Sequence, residues 1–197
     1  MIRRILPLSL LSLSLAACAT TAPPSPVEVS RFVAQDSIAR LGSGTIFVTA
    51  EGGLETSAYS AAVARELQRL GYREGPRTSA QQIAEVQVER FVIGASGQRS
   101  PVSVGVGGST GTFGSGVGLG LGINLGGGSQ ERIGTQMAVR IRDRASGASL
   151  WEARAEFDAG RNSDLADREA SAQRLASALF RNFPGNNGET YQVRNEV

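Results

Sequence analysis

The side chains in this sequence that could carry chemistry are carboxylates and arginines. The 197 residues contain no histidine, and all 20 basic residues are arginine because lysine is absent. Catalytic triads and zinc sites that need imidazole are therefore excluded, as are Schiff-base chemistry and the lysine-containing phosphate loop. Paired carboxylates, which can hydrolyse glycosides or bind calcium, remain.

The acidic residues are densest in two clusters, which are Glu152, Glu156 and Asp158, and Asp164, Asp167 and Glu169. Glu152 and Glu156 alternate with apolar residues along a predicted strand, which places them on its solvated face. Asp164 and Asp167 fall in the first turn of a predicted helix, where negative charge complements the helix dipole. No calcium-loop spacing occurs. We therefore predict a protein that is not an enzyme and that has no metal and no cofactor.

Arg140 and Arg142 share one face of another predicted strand, together with Arg144. Planar guanidinium groups bind phosphate well, so these residues are candidates for contact with an anionic polymer. Alternatively they pair with Glu152 and Glu156 across a hairpin. We favour pairing, because any sheet with one solvated face shows this alternation.

Cys18 is the only cysteine and follows a segment typical of an export signal. Arg3 and Arg4 precede an apolar run over residues 5–15, which is about half the ~20 residues that a spanning helix needs. Leu15-Ala16-Ala17-Cys18 resembles the bacterial lipobox, in which the cysteine becomes the acylated first residue of the mature chain.

The lipobox resemblance predicts a signal peptide over residues 1–17 and a lipidated cysteine with its tether over 18–26. Several acyl chains would hold the protein on a membrane permanently. Ala19, where an inner-membrane lipoprotein would have Asp, implies the outer membrane and its periplasmic leaflet.

The mature chain is electrically neutral. Removal of residues 1–17 takes away Arg3 and Arg4, which leaves 20 − 2 = 18 arginines against 18 acidic residues. A neutral chain without a basic block gives no reason to expect nucleic acid as a partner. The spacing Gly-x-Gly-x-x-Gly is also absent, so we predict no nucleotide.

Periodicity predicts a single α+β domain over residues 27–185. Its strand patterns lie at 27–33, 45–50, 84–93, 136–142 and 151–157, and helical patterns follow Thr56 or Ser57 and Asn162 or Ser163. We expect two layers: a mostly antiparallel sheet of about four to five strands, with two helices on one face. Residues 186–197 are predicted to be a loose polar tail.

A glycine-rich insertion is predicted over residues 94–130. Aliphatic side chains alternate with glycine or asparagine in its second half, at Val117, Leu119, Leu121, Ile123 and Leu125. Period-two alternation predicts a β-hairpin. Burying five aliphatic side chains gives at most ~7 to 15 kcal/mol, and ordering ten residues costs ~1 to 2 kcal/mol each. The hairpin therefore needs a surface to order against: its own sheet, another protomer, a partner protein or lipid.

Three further segments resemble a family of bacterial lipoproteins known as domain of unknown function 4136. They are the helix Tyr59-Ser-Ala-Ala-Val-Ala-Arg-Glu-Leu-Gln-Arg-Leu-Gly-Tyr72, the hairpin over residues 139–153, and the closing Leu179-Phe-Arg-Asn-Phe-Pro184. The resemblance implies an exported, membrane-anchored α+β domain and carries no catalytic residues.

Together these features predict an outer-membrane lipoprotein with a structural or interaction role in the cell envelope. Its expected partners are the membrane, through the anchor, and an envelope protein or a second copy of itself. The alternative is a component of an oligomeric secretion or pore assembly, in which the glycine-rich insertion contacts the membrane or a neighbouring protomer.

Overall fold

The computed structural model describes residues 23–94, 97–101 and 131–194. Its strands are β1 (Val27–Val33), β2 (Thr45–Ala50), β3 (Arg73–Glu74), β4 (Gln82–Ile93), β5 (Arg99–Pro101), β6 (Arg132–Asp143), β7 (Ser149–Gly160) and β8 (Glu189–Val193). Its helices are α1 (Leu54–Arg69) and α2 (Arg168–Leu179), and 3-10 turns cover Gln35–Arg40 and Asp164–Ala166.

All eight strands belong to one mixed sheet in the order β3-β2-β4-β6-β7-β1-β8, and β5 also pairs with β4. β4, β6 and β7 form a long antiparallel centre. β2 runs parallel to both β3 and β4, because α1 carries the chain back between β2 and β3. β1 lies antiparallel between β7 and β8.

The prediction of a mostly antiparallel sheet of four to five strands is therefore wrong in its strand count, because the sheet has eight strands and is mixed through the two parallel pairings of β2. The additional strands are β3, β5 and β8, which have two, three and five residues. β3 and β5 carry too few residues for a period-two pattern, and β8 lies in the segment that composition predicted to be a loose tail. The parallel pairing follows from the crossover through α1, which an antiparallel arrangement does not need. β8 also places Glu189–Val193, inside the predicted loose tail, in the sheet.

The predicted glycine-rich hairpin is not shown. Of the insertion at 94–130, the structure describes only Gly94 and residues 97–101, in which β5 pairs with the end of β4. The predicted hairpin positions lie outside the described residues.

One hydrophobic core lies between the sheet and the two helices. Tyr59, Val63 and Leu67 of α1 and Leu175 and Leu179 of α2 are fully buried in it. The opposite layer comes from alternate strand residues, including Val29, Met137, Val139, Trp151 and Ala155. The Tyr59 hydroxyl lies 2.8 Å from Ser171 Oγ in the buried contact between the helices.

Candidate interaction surface

The side of the sheet opposite the helices, here called the open face, presents polar side chains in register. One row across it consists of Phe32, Glu152, Arg140 and Glu85. The next row consists of Ser30, Arg154, Ala138 and Gln87. Strand alternation produces these rows, because the intervening residues point into the core.

Ion pairs occupy most of the charged groups on the open face. Arg140 Nε donates to Glu152 Oε1 at 2.8 Å, and Arg142 Nε donates to Glu85 Oε1 at 2.6 Å. Arg99 Nη2 donates to Glu156 Oε1 at 3.0 Å. Arg140 therefore has the predicted partner, whereas Arg142 pairs with β4 and Glu156 pairs with β5. Their guanidinium groups are already engaged by carboxylates, which weakens the case for a phosphate site.

A shallow depression of about 110 Å³ lies on the open face where Ala138 leaves room between longer side chains. Its lining includes Ser30, Phe32, Gln87, Ala138, Arg140 and Arg154. Phe32 is 60 % exposed. Pockets for small organic ligands usually enclose ~300 to 1,000 Å³. The depression therefore suits contact with a larger surface better than enclosure of a small molecule.

Phe32 and Arg154 were missed as candidates by sequence reasoning. The signal was present in Val27-Glu-Val-Ser-Arg-Phe-Val33, where the valines fix the buried positions at every second residue. Period two then puts Arg31 inside and Phe32 outside, against the usual preference of both residue types.

The acidic clusters serve structural contacts. Asp158 pairs with Arg132, and Asp167 caps α2 by accepting hydrogen bonds from Glu169 N and Ala170 N. Hydrogen bonds from Ser146 hold the pKa of Asp143 below its ordinary value, in the turn between β6 and β7. Within the described ranges, no three metal-ligating side chains lie close enough to hold an ion.

The other predicted site residues are Cys18, Val117, Leu119, Leu121, Ile123 and Leu125. All of them lie outside the described residues. No helix in the described part of the chain is long and apolar enough to cross a membrane.

Similar chains include an uncharacterized protein of Zymomonas mobilis, which is 30 % identical over 66 residues. The match covers 34 % of this chain and 25 % of that protein, so the chain spans about a quarter of the relative's length.

Among solved structures, a PDZ domain protein from Parabacteroides distasonis has a TM-score of 0.51 and 13 % identity. The match covers 87 % of this chain and 39 % of that one, and the likeness concerns the fold alone. A PelC dodecamer from Paraburkholderia phytofirmans has a TM-score of 0.43 and 12 % identity, with 80 % of this chain and 95 % of that chain covered.

The family model described as domain of unknown function (DUF4136) matches residues 35–185, from the turn after β1 to the segment after α2. It includes both helices and the central strands of the sheet. This chain therefore belongs to the DUF4136 family.

Proposed function

We propose that the protein is an outer-membrane lipoprotein, anchored through Cys18 and facing the periplasm, with a non-catalytic structural or interaction role in the envelope. The observation that carries the proposal is the only cysteine at the end of an export-like segment, five residues ahead of the first described residue, Pro23. Acylation at Cys18 would hold the domain on the membrane.

The open face supports an interaction role for the domain. It offers an exposed aromatic ring at Phe32 beside Arg154, which makes no ion pair or hydrogen bond to the described residues. Around them the carboxylates are held by arginines at normal pairing distances. A flat surface of this kind contacts another macromolecule, for which enriched aromatic and arginine side chains are typical.

The anchor is tested by expressing the full chain in a Gram-negative host and comparing it with Cys18→Ser. We expect the unmodified sequence in the outer-membrane fraction, with a mature N-terminal mass that includes acyl chains. The Cys18→Ser variant should leave that fraction. An unmodified chain that is soluble and keeps a free Cys18 thiol would contradict the proposal.

The destination is tested separately with Ala19→Asp, for which Ala19→Ser is the matched control. The aspartate variant should move to the inner membrane, and the serine variant should stay in the outer membrane. Equal distribution of the two variants would contradict the assignment to the outer membrane.

The non-catalytic role is separated from a pore or secretion assembly by deleting residues 102–128. We expect the deleted chain to keep its helix content and membrane fractionation. If the unmodified chain forms detergent-resistant oligomers that the deletion abolishes, the assembly role replaces the proposed one.

A further inference from the structure

The N-terminal chain is fastened to one end of the sheet before β1 begins. Ser25 N donates to Asp158 O at 2.8 Å, and Asp158 N donates back to Ser25 Oγ at 2.8 Å. Arg174 Nη2 donates to Ser25 O at 3.0 Å, and Arg132 Nη2 donates to Pro23 O at 3.2 Å. The described chain is therefore attached to the sheet from Pro23 onward, four residues before β1 begins.

These contacts lie where four central strands begin or end. Ile93 at the end of β4 pairs with Arg132 at the start of β6, and Arg132 also pairs with Gly160 at the end of β7. Ser25 lies two residues before the start of β1. We call this the tethered end. The turn over residues 144–148 lies at the other end of the hairpin between β6 and β7, here called the far end. β7 has 12 residues, so its eleven residue steps separate the two ends by about 36 Å at ~3.3 Å per step.

The reach of the tether follows from covalent geometry. Five residue steps separate Cys18 from Pro23, and a fully extended chain covers at most ~3.6 Å per residue, or about 18 Å. That is half the distance between the two ends of the sheet. An anchor at Cys18 therefore keeps the tethered end within about 18 Å of the lipid headgroups, whereas no such limit holds the far end there.

We infer that the tethered end of the sheet is the membrane-facing surface of the domain, with a lipid headgroup layer as its partner and the far end directed into the periplasm. This inference rests on the proposed lipidation of Cys18.

The ion pairs at the tethered end allow contact with lipid headgroups but do not attract the domain to them. Arg99, Arg132 and Arg161 are each paired with a carboxylate, on Glu156, Asp158 and Glu131 respectively. These three pairs contribute no net charge at this end, so they neither attract nor repel anionic headgroups. Orientation then depends on the tether and should persist at high salt, where exposed charges are screened.

The described residues on either side of the glycine-rich segment lie close to one another in the sheet. Pro101 pairs with Phe91, two residues before the end of β4, and Glu131 accepts a hydrogen bond from Arg161 N at 3.0 Å. The described residues that flank this segment, Pro101 and Glu131, therefore both lie near the tethered end.

The test uses two variants of the lipidated full chain, one with a cysteine at the tethered end of the sheet and one with a cysteine at the far end. Asn162→Cys lies in the exposed loop after β7, and Ala145→Cys lies in the exposed turn at the far end. Because Cys18 is acylated, the introduced cysteine is the only free thiol and can carry a nitroxide spin label. Vesicles of phosphatidylcholine and phosphatidylglycerol that contain a nickel-chelating lipid then report the distance of each label from the headgroups.

We expect the relaxation enhancement at Asn162→Cys to exceed that at Ala145→Cys several-fold, at low and at high salt. Insertion of a long glycine-serine linker after Ala22 should abolish the difference. Equal enhancement at both labels without the linker, or a larger effect at Ala145→Cys, would overturn the inference. A protein that does not bind the vesicles at all would instead contradict the lipid anchor in the proposed function.

Discussion

Arg31 is an arginine in the core whose side chain is 1 % exposed. Its Nη2 donates to Arg181 O at 2.9 Å and to the Tyr191 hydroxyl, and its Nε lies 3.6 Å from Glu189 Oε2. The guanidinium carbon also lies 4.5 Å from the centre of the Tyr191 ring. One side chain of β1 thus fixes both the segment after α2 and strand β8.

Arg31→Ala should lower the free energy of unfolding by about 3 kcal/mol, because it removes the buried hydrogen bonds to Arg181 O and Tyr191 and leaves a cavity. Arg31→Met should lose less, since Arg31 Nε and Nη1 have no hydrogen-bond partner and the methionine keeps the volume of the stem. Urea unfolding measures both. Exposed Arg154→Met is the control and should stay within about 0.5 kcal/mol. A similarly small loss for Arg31→Ala would refute this role.

Gly134 is required by the aromatic ring that covers it. A Cβ at this position would overlap the ring of Phe91, which pairs across from Gly134 and is 9 % exposed. Arg99 lies over the other side of the same ring, at 4.7 Å from its centre. The Phe91 ring thus packs against both Gly134 and Arg99 on the open face, next to β5.

Gly134→Ala should cost about 1 to 3 kcal/mol, as overpacking usually does. The cost should fall when Phe91→Leu is also present, because the smaller side chain can move aside. A double-mutant cycle by urea unfolding measures this coupling. Gly160→Ala is the matched control, since a Cβ there has nothing within 4 Å. Additive effects of the Gly134 and Phe91 substitutions would count against the contact.

At the scale of elements, long amphipathic segments were predictable and short ones were not. The pattern near Tyr59 predicts α1 because its buried residues recur at helical spacing. The N-terminus differs: α1 begins at Leu54 after Gly53, ahead of the predicted caps Thr56 and Ser57. Gly53 has φ of +66°, a conformation that glycine adopts readily.

The pairing of strands depends on contacts between distant parts of the chain, so local periodicity could not give it. β1 and β2 are consecutive in the sequence, yet β1 lies between β7 and β8 while β2 lies between β3 and β4. The candidate surface was likewise predictable only in the features that local alternation determines. Alternation predicted the face that carries Arg140 and its pairing with Glu152, whereas the pairing of Arg142 with Glu85 and the depression beside Ala138 depend on register.

The first turn of α2 depends on its aspartate cap. Asp167 Oδ1 accepts hydrogen bonds from Glu169 N at 2.9 Å and Ala170 N at 3.3 Å. The Ala170 hydrogen bond in particular holds the pKa of Asp167 below its ordinary value. A lowered folded-state pKa means that the stabilisation is complete above the unfolded-state pKa and disappears as the pH falls through the folded-state pKa.

Asp167→Ala should therefore lower the thermal midpoint at neutral pH, and its difference from the unmodified chain should shrink below the unfolded-state pKa of about 3.9. Asp167→Asn is the matched variant, because asparagine also caps helices but does not titrate. It should stay close to the unmodified chain at neutral pH. Circular dichroism across this pH range measures the midpoints. A difference for Asp167→Ala that is the same at every pH would contradict the charged cap.

For the whole molecule, one continuous core predicts one cooperative unit. The buried cluster joins residues of β1, both helices and the central strands without a break. Trp151, the only tryptophan, lies toward the far end, where its ring stacks on Phe180 at 5.2 Å and its Nε1 donates to Pro184 O at 2.9 Å. Its fluorescence therefore reports packing of the sheet against the segment after α2.

Urea unfolding followed by Trp151 fluorescence and by far-ultraviolet circular dichroism should give coincident transitions, as expected for a two-state domain of this size. The sharper test uses Gly134→Ala, because Gly134 lies near the tethered end and Trp151 toward the far end. In a single unit, the substitution shifts both transitions equally. If the tethered end unfolded on its own, circular dichroism would change first while Trp151 fluorescence kept its original midpoint. Such a split would show that the two ends of the sheet are separate cooperative units.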